Sequence, residues 1–167
     1  FTLLLDTTQE PIKSNRQLAQ EVPKFEIKRK QFNEAEKGFW LKFGINEQTL
    51  KRFNVSSLEE FSTTSKIGNP YTTKSSFDKF IFAYENDNWV KLYKPLDEET
   101  YKFQYLGTKE QGFIFGWKQL PENGELLIIT GGEKDVMTLA AKGFNAITLN
   151  SVTATLPKNI VDELKLR

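Results

Sequence analysis

The sequence contains no cysteine and no histidine among its 167 residues. Within these residues, that absence excludes disulfides, Cys/His zinc sites, haem ligation by either residue, histidine general bases and cysteine nucleophiles. Any bound metal is therefore expected to be a hard ion held by carboxylates and water, Mg²⁺ or Mn²⁺ before any other.

Long apolar runs are also lacking. The longest in the C-terminal half is Leu126-Leu127-Ile128-Ile129, far short of the roughly 20 residues that a membrane span needs. Residues 1–20 lack the basic-then-apolar order of a secretory signal. We expect a soluble, intracellular (cytoplasmic) protein of one domain or two small ones. The chain begins with Phe1 and stops after a helix-like segment, so we expect an excerpt from a longer protein.

The charge is nearly balanced, with a net value of +1, which predicts no strong general attraction to nucleic acid. The basic residues are nevertheless grouped. One group comprises Lys24, Lys28, Arg29 and Lys30, and the other comprises Lys91, Lys94 and Lys102. Each group is either a solvated surface or a site for phosphates, and spacing alone leaves both interpretations open.

Two helix starts have a clear signature. Asn33 and Glu36 have the spacing of a capping box, and Gly44 is suited to end that helix. A second helix is predicted to start at Asn46.

A third helix is predicted to start at Ser56 or Ser57 and to bury Leu58 and Phe61. Residues 62–76 are rich in Ser, Thr, Lys, Gly and Pro, which predicts a loop.

From Phe77 the apolar period changes to two. Phe80, Phe82 and Tyr84 alternate with other residues, as in a half-buried strand. A turn at 85–88 precedes a second alternating run, so a β-hairpin is predicted. Another strand is expected from Tyr101.

The end of the chain has a different pattern. Leu126–Thr130 is a short apolar run typical of a strand buried on both faces of a parallel sheet. A glycine turn, a helix over 133–142, a strand over 145–149 and a helix from Pro157 follow. This order predicts a parallel, doubly wound βαβα unit, and the fold class is α/β.

In such a unit, ligands bind where strands end and helices begin. The segment from Thr130 to Asp135 lies there and carries Glu133 and Asp135. Carboxylates in this place can hold Mg²⁺ at a phosphoryl or nucleotidyl centre. They can equally do no more than stabilise the helix N-terminus electrostatically.

Residues 127–139 resemble the first motif of the Toprim domain, which bacterial primases, phage primase–helicases and topoisomerases share. Residues 145–151 are similar to its second strand and loop. Upstream, residues 39–53 resemble the opening of a primase polymerase core. The basic residues before Phe115-Gly116 resemble the phage and Twinkle-like layout. The resemblance covers about residues 39–160.

The resemblance implies three parts. Residues 1–38 are expected to form an N-terminal arm or linker with one possible edge strand. Residues 39–124 are expected to form a mixed α+β primase subdomain, and residues 125–167 part of a Rossmann-like Toprim domain.

The implied function is RNA primer synthesis on single-stranded DNA from ribonucleoside triphosphates, in a bacterial, phage or plasmid setting with a fused or separate helicase. The cofactor implied is Mg²⁺ or Mn²⁺. Glu133 and Asp135 are the candidate catalytic and metal-binding acids. The candidates for binding nucleotide or DNA phosphates are Lys91, Lys94, Lys102 and Lys134.

Two departures from the family pattern matter. The family's catalytic Glu falls at Gly131, and Glu133 lies two residues on, about 6–7 Å further along an extended chain. The family's Asp-x-Asp would follow a third strand, and the sequence ends at Arg167 before it. The 167-residue chain alone is therefore expected not to polymerise nucleotides. Two alternatives are a degenerate Toprim module that binds nucleic acid or a partner, and another Toprim enzyme such as a nuclease or topoisomerase.

Overall fold

The computed structural model describes residues 24–98, 101–149 and 154–166, which form a mixed α/β fold with two sheets. The strands of the larger sheet are β1 (Glu26–Lys30), β2 (Val55–Thr64), β3 (Pro70–Lys74), β4 (Phe82–Glu85), β5 (Trp89–Tyr93) and β6 (Phe103–Gly107). The smaller sheet contains β7 (Ile128–Thr130) and β8 (Ala146–Thr148). The α-helices are α1 (Glu34–Leu41), α2 (Glu47–Arg52), α3 (Glu133–Ala141) and α4 (Lys158–Leu164), and Trp117–Gln119 forms a 3₁₀ turn.

Helices α1 and α2 begin where the sequence predicts. The Asn33 side chain accepts a hydrogen bond from the Glu36 N–H at 2.9 Å, and Glu36 Oε2 accepts from the Asn33 N–H at 3.0 Å. This reciprocal pair is the predicted capping box. Asn46 caps α2 by accepting from the Thr49 N–H at 2.9 Å. Between the helices, Gly44 has a φ of 73°, a conformation that favours glycine.

The predicted third helix is wrong, because residues 55–64 form strand β2. Its register against β1 shifts by one residue, so that Glu59 is an extra residue opposite no partner. This β-bulge places Leu58 and Phe61 in the same core cluster although they are three residues apart. In a regular strand, that spacing would put them on opposite faces.

The predicted loop over residues 62–76 is also wrong for most of its length. Strand β2 continues to Thr64, and β3 pairs with it in antiparallel fashion. The turn between them, over residues 65–69, and residues 75–76 after β3 are irregular, and Gly68 in the turn has a φ of 87°. Strand β3 is largely exposed, so polar threonines, which are β-branched, suit it without an apolar pattern.

The larger sheet is antiparallel in the order β1-β2-β4-β5-β6, with β3 attached to β2. The β4–β5 hairpin confirms the predicted one. The expectation of a half-buried strand is corrected, because Ile81 and Ala83 are buried on one face and Phe82 and Tyr84 on the other. One face packs against α1, α2 and α3, and the other carries a separate cluster that includes Leu58, Leu92 and Leu106.

The larger sheet is strongly curved. Gln104 Nε2 of β6 donates a hydrogen bond to the Tyr71 hydroxyl of β3 at 2.6 Å. A Cβ placed on Gly107 of β6 would lie 2.8 Å from Phe25 Cε1, beside the start of β1. Strands from opposite ends of the sheet therefore meet, and the curvature encloses the second core cluster. Strand β1 falls in the segment expected to be an arm, and residues 1–23 lie outside the described residues.

The smaller sheet contains the predicted parallel pair. Strand β7 pairs with β8 in parallel through the crossover helix α3. Strand β8 is buried as predicted, but Ile129 of β7 is half exposed, so β7 is not covered on both faces by the described residues. Pro157 precedes the first turn of α4, and residues 150–153 of the predicted loop lie outside the described residues. None of the helices in the described ranges is long and apolar enough to cross a membrane.

Candidate functional site

The two sheets are joined by an ion pair between Lys91 and Glu133. Lys91 Nζ, in the middle of β5, donates a hydrogen bond to Glu133 Oε1 at the start of α3, across a separation of 42 residues. The two side chains are only 14% and 17% exposed, respectively. Glu133 occupies the first residue of α3, where a negative charge also interacts favourably with the helix dipole. The structure thus brings together two residues that the sequence singled out separately.

Aromatic rings surround the Lys91 ammonium group. It lies 4.4 Å from the centroid of the Phe103 ring and 5.8 Å from that of Tyr105. Both rings belong to β6, which pairs with β5 so that Lys91 is opposite Tyr105. Cation–π attraction therefore adds to the ion pair with Glu133 in holding the Lys91 ammonium group in place.

Tyr84 lies on the other side of Lys91, opposite it across the β4–β5 ladder. Burial raises the pKa of the Tyr84 phenol well above its usual value, and negative charge from Glu133, Tyr93 and Asp135 adds to that effect. The phenol therefore stays neutral and protonated at any pH in ordinary use.

The other predicted residues of the Gly-Gly-Glu-Lys-Asp segment point to different surroundings. Lys134 Nζ lies 3.8 Å from the Phe43 ring centroid, which links α3 to the end of α1. Asp135 is exposed. Its Oδ2 atom would lie 3.8 Å from a Cβ placed on Gly132. Gly131 is exposed in the turn, and no carboxylate occupies that position.

Lys94 and Lys102 do not join the Lys91–Glu133 pair. Lys94 is 7% exposed, and its ammonium group lies 3.7 Å from Asp97. Its backbone N–H donates to the Lys102 carbonyl at 2.8 Å, where β5 and β6 diverge. Lys102 itself is exposed. Lys102 is thus accessible to a phosphate, whereas the Lys94 side chain is buried.

The acids of this site do not assemble a metal site by themselves. In the part of the chain that the structure describes, no group of three or more Asp or Glu side chains is placed to hold a metal ion. One of the two candidate acids, Glu133, is already paired with Lys91. Glu133 and Asp135 remain the candidate acids, because Mg²⁺ is commonly bound through one or two carboxylates together with water and substrate phosphates.

Phe115 and Gly116 fix the smaller sheet to the larger one. Phe115 and Thr148 exchange two backbone hydrogen bonds, at 3.1 and 3.0 Å, and the Phe115 ring stacks on Phe53 with centroids 5.3 Å apart. Gly116 has a φ of 90°, and a Cβ there would lie 2.5 Å from the Ala146 carbonyl oxygen. Only glycine suits this close approach. The step from Phe115 to Gly116 is thus a packing requirement that positions α3 beside β5.

Sequence reasoning missed the aromatic members of the site. Alternation along β4 and β6 placed Tyr84, Phe103 and Tyr105 on strands, and the same alternation puts them on the Lys91 face. Their position on the same face as Lys91 was the sequence signal that could have identified these aromatic residues. A cavity of about 420 Å³ is lined by Tyr84 but not by Lys91 or Glu133; its polar lining includes Lys51, Asn54, Asn86, Asp87, Lys118 and Gln119.

Comparisons with family models, curated proteins and solved structures found no match to this chain. The class that the geometry defines is therefore a mixed α/β protein with a mostly antiparallel sheet and a small parallel sheet. Its site combines a lysine, an acid and exposed aromatic rings.

Proposed function

We propose that this chain is part of a primase-type nucleotidyltransferase that makes RNA primers on single-stranded DNA from ribonucleoside triphosphates. The contact between Lys91 and Glu133 carries the proposal. Lys91 belongs to the segment that resembles the primase subdomain, and Glu133 belongs to the segment that resembles Toprim. A site shared by a basic strand and an acid near the family's catalytic position supports such an enzyme.

The parallel β7–α3–β8 unit supports the finer assignment of residues 125–167 to part of a Toprim domain. Its acids stand at the C-terminal end of β7 and at the start of α3, where ligands bind in parallel α/β units. A replicative helicase remains the proposed partner of the full-length protein.

The pairing of Lys91 with Glu133 suggests how phosphates are received. Lysine is a point charge that binds phosphate oxygens well. An incoming phosphate competes with Glu133 for the Lys91 ammonium group. A phosphate that displaces Glu133 leaves its carboxylate without the Lys91 partner.

The resemblance also implies Mg²⁺ or Mn²⁺. Among the described residues no group of three or more acids is placed to hold a metal ion, and Glu133 is paired with Lys91, so we assign no metal-dependent step to them. The proposed role of Lys91 is to bind phosphate, and that of Glu133 is to supply a carboxylate.

A second candidate is a degenerate Toprim module that binds single-stranded nucleic acid or a replication partner without catalysis. Two observations favour it. Gly131 stands where the family has its catalytic Glu, and Lys91 neutralises the nearest replacement, Glu133.

Primer synthesis by the full-length protein that contains these residues tests the first candidate. The assay supplies single-stranded DNA, labelled ribonucleotides and Mg²⁺ or Mn²⁺. We expect short labelled oligonucleotides from the unmodified protein. We expect Glu133→Ala to reduce them at least about 100-fold, as the loss of a charged group at a reacting centre does.

Glu125→Ala is the matched control, because Glu125 is an exposed acid just before β7 and should leave synthesis unchanged. Synthesis that survives Glu133→Ala would remove Glu133 from the reaction. An absence of product with either metal, beside intact binding of single-stranded DNA, would favour the degenerate module.

A further inference from the structure

Strand β6 presents two large aromatic side chains to the outside. It pairs only with β5 among the described strands, so it forms an edge of the sheet. Phe103 and Tyr105 are 46% and 43% exposed, and they lie on the same face because they are two residues apart. We call these two residues the aromatic edge. Contiguous exposed apolar groups are a common feature of binding surfaces.

The rings of the aromatic edge are held firmly from behind. Phe103 stacks on Tyr93 with centroids 5.1 Å apart and an angle of 13° between the ring planes. Tyr105 packs against the buried Trp89 at 5.9 Å. Rings fixed by buried neighbours lose little freedom when a ligand covers their exposed surface, which favours binding.

Lysine ammonium groups flank the same rings. Lys91 lies near both, and Lys109 Nζ lies 4.7 Å from the Tyr105 ring centroid. The surface thus combines two flat rings with Lys109 and with Lys91, whose ammonium group is paired with Glu133. Stacked bases need flat faces and their backbone needs cations, so the surface is complementary to an unpaired polynucleotide.

We infer that the aromatic edge stacks successive unpaired bases of single-stranded DNA, while Lys91 and Lys109 contact the adjoining phosphates. The inference rests on the proposed function, because it names the surface that leads a template strand to the Lys91–Glu133 pair. Stacking on rings is tolerant of base sequence, since every base has a π-face. The aromatic edge therefore holds the template without selecting a sequence.

Fluorescence anisotropy of a short fluorescein-labelled oligothymidine tests the inference with the 167-residue chain in metal-free buffer. We expect Phe103→Ala and Tyr105→Ala each to weaken binding by about 5- to 150-fold. Phe103→Trp and Tyr105→Phe should keep most of the affinity, because each retains a flat ring. Phe144→Ala is the matched control, since Phe144 is also 46% exposed but follows the far end of α3.

An abasic strand of equal length separates stacking from charge. It keeps every phosphate, so we expect the unmodified chain to bind it far more weakly, and the two alanine variants to lose little further. Equal binding of the abasic and oligothymidine strands, alanine variants that bind normally, or no binding by the unmodified chain would each overturn the inference. Thermal melting of each variant verifies that it is folded.

This test is separate from that of the proposed function because it involves no synthesis. Base-dependent binding without primer synthesis would uphold the aromatic edge and reject the polymerase. Primer synthesis with unchanged binding in both alanine variants would do the opposite.

Discussion

Glu36→Ala is expected to lower the free energy of unfolding by about 3–5 kcal/mol, the usual cost of removing one partner from a buried charge pair. Glu36 is fully buried, and its Oε1 accepts hydrogen bonds from Lys30 at 2.5 Å and Ser57 at 2.8 Å. Its Oε2 accepts from the Asn33 N–H. Alanine leaves three donors without their acceptor. The hydrogen bonds that link β1, β2 and the start of α1 through this side chain are lost together.

Chemical denaturation measures this loss, and it is large beside the roughly 5–15 kcal/mol that stabilises a typical domain. Glu34→Ala is the control, because Glu34 is on the same helix with a side chain 93% exposed. Its removal should change the free energy of unfolding by less than about 0.5 kcal/mol. A Glu36→Ala protein as stable as the Glu34→Ala protein would show that the buried network does not join these elements.

Charge reversal at the Lys91–Glu133 pair is expected to have the next largest effect. Lys91→Glu places two carboxylates together and Glu133→Lys places two ammonium groups together, in a site where both side chains are mostly buried. Each single change should cost about 2–4 kcal/mol. The double change restores opposite charges and should recover at least about half of the summed loss.

Full recovery is not expected, for two physical reasons. The swapped lysine stands at the N-terminus of α3, where a positive charge is unfavourable, and position 91 loses its cation on Phe103 and Tyr105. The exposed pair of Lys118 and Asp87, 3.8 Å apart, is the control for the same measurement. Its reversal should change stability by less than about 0.5 kcal/mol. Additive losses in the Lys91 and Glu133 double variant would show that the two side chains do not interact in solution.

The elements that the sequence predicts well are those with local causes. The cap at Asn33, the cap at Asn46 and the hairpin turn at 85–88 each depend on residues a few positions apart. Parallel pairing of β7 and β8 follows from strand, glycine turn, helix and strand in that order.

The predictions that were wrong, the third helix and the loop over residues 62–76, depend on strands that are distant in the sequence. The bulge at Glu59 gives β2 the three-residue apolar spacing of a helix, and it exists only because β1 pairs there. Strand β3 lacks an apolar face because it is exposed, so its composition is that of a loop. Neither feature is visible without the neighbouring strand.

The site was predicted only in part, again because it depends on contacts between residues that are distant in the sequence. Lys91 and Glu133 were both identified from sequence, but their contact depends on how Phe115 and Gly116 fix the smaller sheet beside β5. Lys94 was a candidate for phosphate binding together with Lys91, but its side chain is buried beside Asp97. The exposed rings of β6 can be assigned to the site only because the structure places Lys91 beside them.

The central claim is that nucleotide phosphates react beside Lys91, Glu133 and Lys134, and affinity labelling of the full-length protein tests it most directly. An initiating nucleotide with an aldehyde on its phosphate forms an imine with a nearby lysine, releasing water, and borohydride reduces the imine to a stable amine. A labelled ribonucleotide, added with single-stranded template and Mg²⁺, then extends only the nucleotides that are attached at the reacting centre. We predict template-dependent label on the peptides that contain Lys91 or Lys134. Label on Lys51 or Lys118, which line the cavity that Lys91 and Glu133 do not line, or no template-dependent label at all, would contradict the account.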